Sequence, residues 1–205
     1  MPIELNDGSY GPRSPILKRR TIGETFAGAL VKAPEQRDIL QDGQPVLKDN
    51  GKARQELVIT MIALPGATMA AGIGDTPPAV PAAGDTVRTI CKGQAFSQWI
   101  DAKNALGGAL QVGDIVTLTT THGQAYDANG RPSGGQLNTQ AECDAVPRQQ
   151  TLGMYGDISI RRATPAEAQW VQAAEAEYLA ATATPLPDAT PANAGAAPGA
   201  GLEGF

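Results

Sequence analysis

The apolar residues of this chain occur in short runs that are separated by glycine and proline. The most compact run, Leu57–Ile62, is rich in β-branched residues, which favour strands. The 24 glycines and 16 prolines among 205 residues interrupt long elements, but they fall short of the roughly 25–30% that is typical of low-complexity chains. The longest apolar stretch, Leu57–Leu64, is far shorter than the ~18 residues of a membrane span. The pattern predicts a folded, mainly β, cytoplasmic protein.

The sequence offers few groups for catalysis or for cofactor binding. It has one histidine, His122, and two cysteines, Cys91 and Cys143, so a histidine-based triad, a disulfide framework and a thiolate metal site all lack components. No nucleophile elbow is present. The glycines of Gly72-Ile73-Gly74 run into Pro77-Pro78, and not into a helix that would hold phosphate. We therefore expect a protein without enzymatic activity, cofactor or metal.

Charge is distributed unevenly along the chain. Residues 1–162 contain 16 basic and 16 acidic residues, whereas residues 163–205 contain five acidic residues and no basic one, so the net charge of −5 lies in the C-terminal fifth. The sequence pI of 4.9 is far below the value of about 9 that is usual for nucleic-acid-binding domains. Residues 1–162 are neutral in sum and carry every cation, so they can still form a local basic groove. The acidic residues 163–205 would either repel nucleic acid from this groove or compete with it for the groove.

Turn residues and changes of period divide the chain into four parts. Residues 1–20 end in Lys18-Arg19-Arg20 and are predicted to be an irregular basic arm. Residues 21–162 are predicted to form one domain, with a linker at 65–84 and a long loop at 123–150. Its five strands are predicted at 21–32 (continuing after Pro34 toward Leu40), 57–62, 86–92, 114–121 and 152–162.

Between the third and fourth strands the period becomes helical. Phe96, Trp99 and Leu106 recur at spacings of three and four in residues 94–106, and Gly107-Gly108 ends the run. This pattern predicts one amphipathic helix with Phe96 and Trp99 in the core. In the third strand, alternation places Arg88, Ile90 and Lys92 on a common face.

Five strands, with one helix between the third and fourth and long loops after the first and fourth, are the layout of an OB-fold, a small Greek-key barrel. In this fold the two long loops flank the ligand face. The first loop has turn signals at Asp42-Gly43 and Asn50-Gly51. The loops also hold cations, with Lys48, Lys52 and Arg54 in the first and Arg131 and Arg148 in the second.

The last part of the chain is predicted to be a helix followed by a disordered tail. Thr164-Pro165-Ala166-Glu167 is a capping box that predicts a helix over residues 163–182. Residues 183–205 contain too little apolar bulk to fold. The terminal Glu203 and Phe205 either dock into partner proteins or form an end without function. The helix has an apolar stripe that packs on the barrel or meets a second subunit: Trp170, Val171, Ala174 and Tyr178.

Several short motifs occur in a characteristic order, namely Thr21-Ile22-Gly23, Asp49–Arg54 before Leu57–Thr60, Lys92-Gly93 and Gly113–Thr117. In this order they resemble the OB-fold single-stranded-DNA-binding proteins encoded by actinobacteriophages. The resemblance covers residues 20–122 and continues loosely to 162. It implies coating of single-stranded DNA in replication or recombination in the host cytoplasm, without catalysis, by a homo-oligomer. Bacterial single-strand binders end in an acidic tail with a Pro-Phe terminus that recruits replication proteins, and Gly204 stands here in place of that proline.

An unpaired strand requires cations for its phosphates and aromatic rings for its bases. We predict Tyr155 as the first stacking residue, because it shares a polar strand face with Arg161. Tyr126 in the fourth-to-fifth loop is predicted next, with a plain loop aromatic as the alternative, and then Phe26, with a core position as the alternative. The basic candidates are Lys18, Arg19, Arg20, Lys32, Arg37, Lys48, Lys52, Arg54, Arg88, Lys92, Arg131, Arg148, Arg161 and Arg162.

Two other classes of function stay open on the sequence. A structural or virion protein would use the barrel as an assembly module and the C-terminal helix to form oligomers. An enzyme would need a metal held by Asp38 and Asp42 or by Glu142 and Asp144, which we interpret as solvated surface pairs. We interpret His122 as a surface residue at the end of a strand.

Overall fold

The computed structural model describes residues 14–74 and 76–183. Within them the chain is mainly β, as the short apolar runs predict. The strands are β1 (Ile16–Lys18), β2 (Thr25–Leu30), β3 (Glu35–Asp38), β4 (Leu40–Gln41), β5 (Gln44–Pro45), β6 (Gln55–Ala63), β7 (Ala70–Gly72), β8 (Thr86–Lys92), β9 (Ile115–Tyr126) and β10 (Thr151–Arg161). The helices are α1 (Gln94–Ala105), α2 (Gln140–Asp144) and α3 (Pro165–Ala183).

One mixed sheet contains most of these strands, in the order β10-β9-β2-β6-β8-β1-β7, and β3 also pairs with β6. The pairing is antiparallel except between β1 and β8. Strand β6 is central, as its compact apolar run predicts, and its residues 56–63 are buried on both faces. Strands β4 and β5 form a separate two-stranded sheet.

The first predicted strand is observed as two strands that share one partner. Strand β2 pairs with residues 61–63 of β6, and β3 pairs with residues 55–58 of the same strand. The interruption at residues 31–34 ends at Pro34, which has no amide hydrogen to donate to a ladder. The continuation predicted after Pro34 is therefore confirmed, with a bend in the strand.

The predicted closed barrel is not formed by the described part of the chain. Strand β10, the fifth predicted strand, pairs with β9 alone, and the edge of β8 that would meet it is taken by β1. Ile16 pairs with Arg88, and the Arg88 amide donates to the Pro15 carbonyl over 2.8 Å. The prediction of an irregular arm is thus wrong for Ile16–Lys18, because these residues find a strand edge far along the chain.

The core lies between the sheet and α1. Trp99 of α1 is buried with Ile158 and Ile160 of β10, and Phe96 packs against the same cluster. The predicted helix and the core positions of both aromatics are confirmed. Helix α1 packs against both β8 and β10. These are the two strands that would have to pair with each other to close a barrel.

Two segments that were predicted to be irregular contain regular structure. The linker at 65–84 includes β7, whose small residues pair with β1. The loop at 123–150 begins with four residues of β9 and includes α2, which starts with a capping box between Thr139 and Glu142. Alanine and glycine carry little strand preference, so only the tertiary pairing identifies β7.

The C-terminal helix is confirmed, and it packs on the body. Thr164 and Glu167 form the predicted capping box. Val171 is buried with Ala29, Leu64 and Ile115, and Trp170 packs against this cluster. Ala174 is half-buried. The side chain of Tyr178 and the tail residues 184–205, with Glu203 and Phe205, lie outside the described residues.

Candidate nucleic-acid interface

Three rings form an aromatic platform on one face of the β9–β10 hairpin: His122, Tyr126 and Tyr155. The register pairs Tyr155 with His122 and Thr151 with Tyr126, which puts the three side chains on a common face. The rings of His122 and Tyr155 are stacked, with centroids 5.6 Å apart and an interplanar angle of 19°. The hydroxyl groups of Tyr126 and Tyr155 are hydrogen-bonded over 2.5 Å.

Gly153, between the two tyrosines on this face, makes room for their rings. A Cβ at Gly153 would lie 3.0 Å from the ring of Tyr155 and 3.1 Å from that of Tyr126. Burial, followed by the hydrogen bond with Tyr126, raises the pKa of Tyr155 to about 12. Tyr155 is therefore uncharged near neutral pH and adds no repulsion toward phosphate. All three platform rings are half-buried, so part of each is accessible.

A β-bulge lies next to the platform. The β9–β10 register shifts between Tyr155 and Gly156, and Thr121 is the extra residue on β9. Strands β9 and β10 approach each other so closely that a Cβ at Gly156 would overlap the carbonyl oxygen of Thr119. The guanidinium of Arg19 lies at the same place and donates to that carbonyl over 3.2 Å.

Arg19 is half-buried beside the β-bulge between β9 and β10, and burial lowers its pKa. Arg19 is one of the basic residues that the sequence predicts to contact nucleic acid. The structure instead ties it to β9, close to Asp157 and Cys91. The neighbouring Lys18 lies in β1 and is half-buried, whereas Arg20 is exposed.

A second cluster lies on the β3–β6–β8 face, where the register aligns Arg37, Glu56 and Lys92. Glu56 Oε1 lies 2.6 Å from Arg37 Nε, and Oε2 lies 2.8 Å from Lys92 Nζ. Burial acts to raise the pKa of Glu56, but the hydrogen bonds and charges of Lys92 and Arg37 outweigh it, so the pKa lies below its ordinary value. We call these three residues the Glu56 cluster.

The Glu56 cluster carries a net positive charge, because two cations share one carboxylate. The cation side chains are 48% and 54% exposed, whereas that of Glu56 is 8% exposed. Arg88 lies on the same face of β8, as predicted from the alternation, and its guanidinium donates to the Ser14 carbonyl over 3.1 and 3.2 Å. The cations of this face can therefore reach an anion while the acid is held beneath them.

Three other predicted cations form ion pairs with acids of the same chain. Arg161 makes a bidentate pair with Glu167 at 2.6 and 2.8 Å, and Arg162 pairs with Asp114 at 2.7 Å. Arg161 lies on the same strand face as Tyr155, as predicted, but six residues away, or about 20 Å along an extended strand. Lys32 pairs with Glu35.

The first predicted loop is an arm that extends from the last β3–β6 pair, Asp38 with Gln55. The cations Lys48, Lys52 and Arg54 make no ion pair with another described residue. They do not make the arm cationic, however. Three acids, Asp38, Asp42 and Asp49, balance them over residues 38–55.

The second predicted loop folds back on its own hairpin. Gly123 bridges to Leu137 and Tyr126 to Pro132, so Tyr126 belongs to β9 and is not a plain loop aromatic. Arg131 and Arg148 are exposed. Asp127, Glu142 and Asp144 outnumber them, which makes residues 127–150 acidic by one charge.

Three of the four acids considered for an alternative metal site, Asp38, Glu142 and Asp144, have structural partners. Glu142 accepts the amides of Asn138 and Thr139 over 2.8 and 2.9 Å, and these bonds lower its pKa. Asp144 accepts from Gln140 over 2.7 Å, and Asp38 from Gln55 over 3.4 Å. Over residues 14–74 and 76–183, no group of three or more potential ligands is found.

Phe26 is not part of an exposed surface. It is fully buried in the core cluster, so its prediction as a stacking residue is wrong and the core alternative holds. The interpretation of His122 as a surface residue at the end of a strand is also wrong, because it lies within β9 and is half-buried. Its place beside Tyr155 depends on the bulged register between two strands about thirty positions apart in the sequence, and no local signal indicates it.

No protein-family model, no curated protein and no solved structure matches this chain. None of the helices in the described ranges is long and apolar enough to cross a membrane.

Proposed function

We propose that this chain is a non-enzymatic protein that binds single-stranded DNA without sequence preference, in phage DNA replication or recombination in the host cytoplasm. The observation that carries this proposal is the aromatic platform. His122, Tyr126 and Tyr155 lie together, half-buried, on a strand face. Rings in such a position suit stacking with unpaired bases, which is tolerant of sequence because every base has a π-face.

The strand order supports a fold of OB type. With β2 and β3 counted as strand one, β6, β8, β9 and β10 become strands two to five, and the sheet order reads 5-4-1-2-3. An OB barrel has this order and is partly open. We propose that β1 and the side chain of Arg19 take the place of direct pairing between strands three and five.

In this fold the face of strands two and three receives the ligand. Here that face carries Arg88, Lys92 and, from β3, Arg37. These cations would bind phosphates, and the platform would hold bases. Because Glu56 neutralises part of the charge of Arg37 and Lys92 on this face, the affinity should be modest and should fall as salt rises. The resemblance of the short motifs to those of actinobacteriophage single-strand binders agrees with this proposal.

A second candidate function is assembly without nucleic acid. It is favoured by Leu40 and Leu47, which are 57% and 58% exposed on the arm. Large exposed apolar side chains that are close together mark interaction surfaces. Under this candidate the platform would be a structural feature of the hairpin only.

The test is a fluorescence-anisotropy titration of labelled oligo-dT and of a duplex of equal length, each at two salt concentrations. We expect tighter binding to the single strand and weaker binding at the higher salt. Equal affinity for both nucleic acids, or binding to neither, would contradict the proposal. Absence of binding together with large assemblies that persist in high salt would favour the second candidate.

A further inference from the structure

The arm at residues 38–55 is built from two successive hairpin turns. Asp42 and Gly43 both have positive φ, 51° and 76°, as a tight two-residue turn between β4 and β5 requires. The second turn has Gly51 at φ 75°, and Asn50 Oδ1 accepts the amide of Lys52 over 3.1 Å. These local bonds give the arm a defined shape of its own.

One face of the arm is apolar and exposed. Leu40 pairs with Pro45, and Leu47, two residues further on, lies on the same face by alternation. Leu40 and Leu47 are 57% and 58% exposed, the largest fractions among the large apolar residues described. We call Leu40, Pro45 and Leu47 the apolar stripe.

The stripe lies beside an open strand edge. Strand β4 pairs with β5 alone, so nothing in the described ranges hydrogen-bonds to its other edge as a strand. An exposed edge next to exposed apolar side chains is a surface on which another chain can add a strand.

The charges of the arm indicate what covers this surface. Asp38, Asp42 and Asp49 balance Lys48, Lys52 and Arg54, so the arm offers nucleic acid no net attraction. A balanced set of both signs suits a partner with the same set. In a two-fold contact the same surface meets itself, so that acids of one copy can face cations of the other.

We propose that the arm is a self-association surface, with the apolar stripe and the open edge of β4 packed against the same arm of a second copy. The arm provides fewer residues than the roughly 20–30 on each side of a standard interface. Association should therefore depend on protein concentration. This proposal does not depend on single-stranded DNA binding.

Sedimentation of the full chain over a range of concentrations tests it. We expect a reversible dimer, and at least a tenfold higher dissociation constant for the double variant Leu40→Asp/Leu47→Asp. Val112→Asp is the matched control, because Val112 is 54% exposed outside the arm, and it should leave the dimer unchanged. A wild-type chain that is monomeric at every concentration, or a double variant with unchanged association, overturns the proposal.

Cross-linking gives a second readout that does not depend on a destabilising charge. Gln41 of β4 is exposed, and both native cysteines, Cys91 and Cys143, are buried. Under mild oxidation Gln41→Cys should form disulfide-linked dimers, whereas Val112→Cys should not. Equal cross-linking of the two variants contradicts a specific contact.

Titration with labelled oligo-dT separates this surface from the DNA-binding proposal. We expect the double variant, compared with the wild type at a concentration where both are monomeric, to bind oligo-dT equally well. A loss of affinity under these conditions would make the arm a nucleic-acid contact and overturn the proposal. Failure of the wild type to bind oligo-dT would reject the proposed function and leave the dimer test intact.

Discussion

The imidazole of His122 stacks on the phenol of Tyr155, with ring centroids 5.6 Å apart. The two residues are direct cross-strand partners on β9 and β10. The hydroxyl of Tyr155 also meets that of Tyr126. Tyr155 is therefore the residue that holds the aromatic platform together, and its substitution should affect the platform most.

Tyr155→Ala should weaken binding to oligo-dT by about 5- to 150-fold, because stacking contributes ~1–3 kcal/mol per base. Tyr155→Phe is the matched control. It keeps the ring and removes only the hydroxyl, so its affinity should stay within about threefold of the wild type. Anisotropy titrations of the three proteins make the comparison. Equal affinities of the alanine and phenylalanine variants would argue against stacking at this position.

The platform should be sensitive to alkali. The pKa of Tyr155 is raised from 10.0 to about 12 in the fold. A raised pKa means that the stabilising contribution is complete below pH 10 and is lost as the pH rises through 12. A spectrophotometric phenolate titration should show one late-titrating tyrosine. In Tyr126→Phe its pKa should fall but stay above 10, because the contribution of burial remains.

Gly156→Ala should destabilise the fold by about 3 kcal/mol, at the upper end for overpacking. The added methyl would overlap the Thr119 carbonyl oxygen and the guanidinium of Arg19, and the backbone cannot give way at a paired bulge. Gly135→Ala is the control, since no atom lies within 4 Å of its Cβ. Urea denaturation of both variants is the measurement. Similar urea midpoints for the two variants would mean that the β-bulge at Gly156 is loosely packed.

Glu56→Gln should change stability and DNA affinity in opposite directions. The neutral amide no longer balances Arg37 and Lys92, so we expect a loss of about 1–3 kcal/mol in the free energy of unfolding. At low salt the binding of oligo-dT should become severalfold tighter, because the two cations are released. Lys92→Gln should reduce the salt slope by about one.

The control for this pair is Glu35→Gln. Glu35 is 39% exposed and pairs with Lys32 on the surface, so its neutralisation should change the free energy of unfolding by less than about 1 kcal/mol. If Glu56→Gln left the affinity for oligo-dT unchanged at low salt, the Glu56 cluster would not be part of the interface.

Acid should release α3 from the body. The hydrogen bonds from Arg161, and then that from the Thr164 amide, lower the pKa of Glu167 from 4.5 to about 2. With a lowered pKa, the stabilising contribution is complete above pH 4.5 and is lost as the pH falls toward 2. Far-ultraviolet circular dichroism and tryptophan emission, which includes Trp170, should follow this loss. In Glu167→Gln the change over this range should be smaller, and an unchanged profile would assign it to other carboxylates.

Elements that depend on neighbouring residues could be predicted from the sequence. The capping box at Thr164–Glu167, the turn at Asp42-Gly43 and the helical period around Trp99 all act over a few positions. Each is observed where it was predicted. The alternation in β8, which places Arg88 and Lys92 on one face, was predictable for the same reason.

Elements that depend on distant pairing could not be predicted. Ala70–Gly72 becomes a strand only because Ile16–Lys18 lies beside it. The candidate site shows the same limit. The strand face that Tyr155 shares with Arg161 could be predicted from alternation, but the pairing of Arg161 with Glu167 on α3 could not.

The amino-acid sequence alone determined that this chain is mainly β, with the helix α1 after the third predicted strand, a capped C-terminal helix and cations confined to residues 1–162. Period, turn chemistry and composition are properties of neighbouring residues, which explains why they can be interpreted without a structure. The tertiary structure alone decided that β8 pairs with β1 and not with β10, that His122 stacks on Tyr155, and which cations an acid neutralises. These features depend on strand register, and a shift of one residue moves every side chain to the other face.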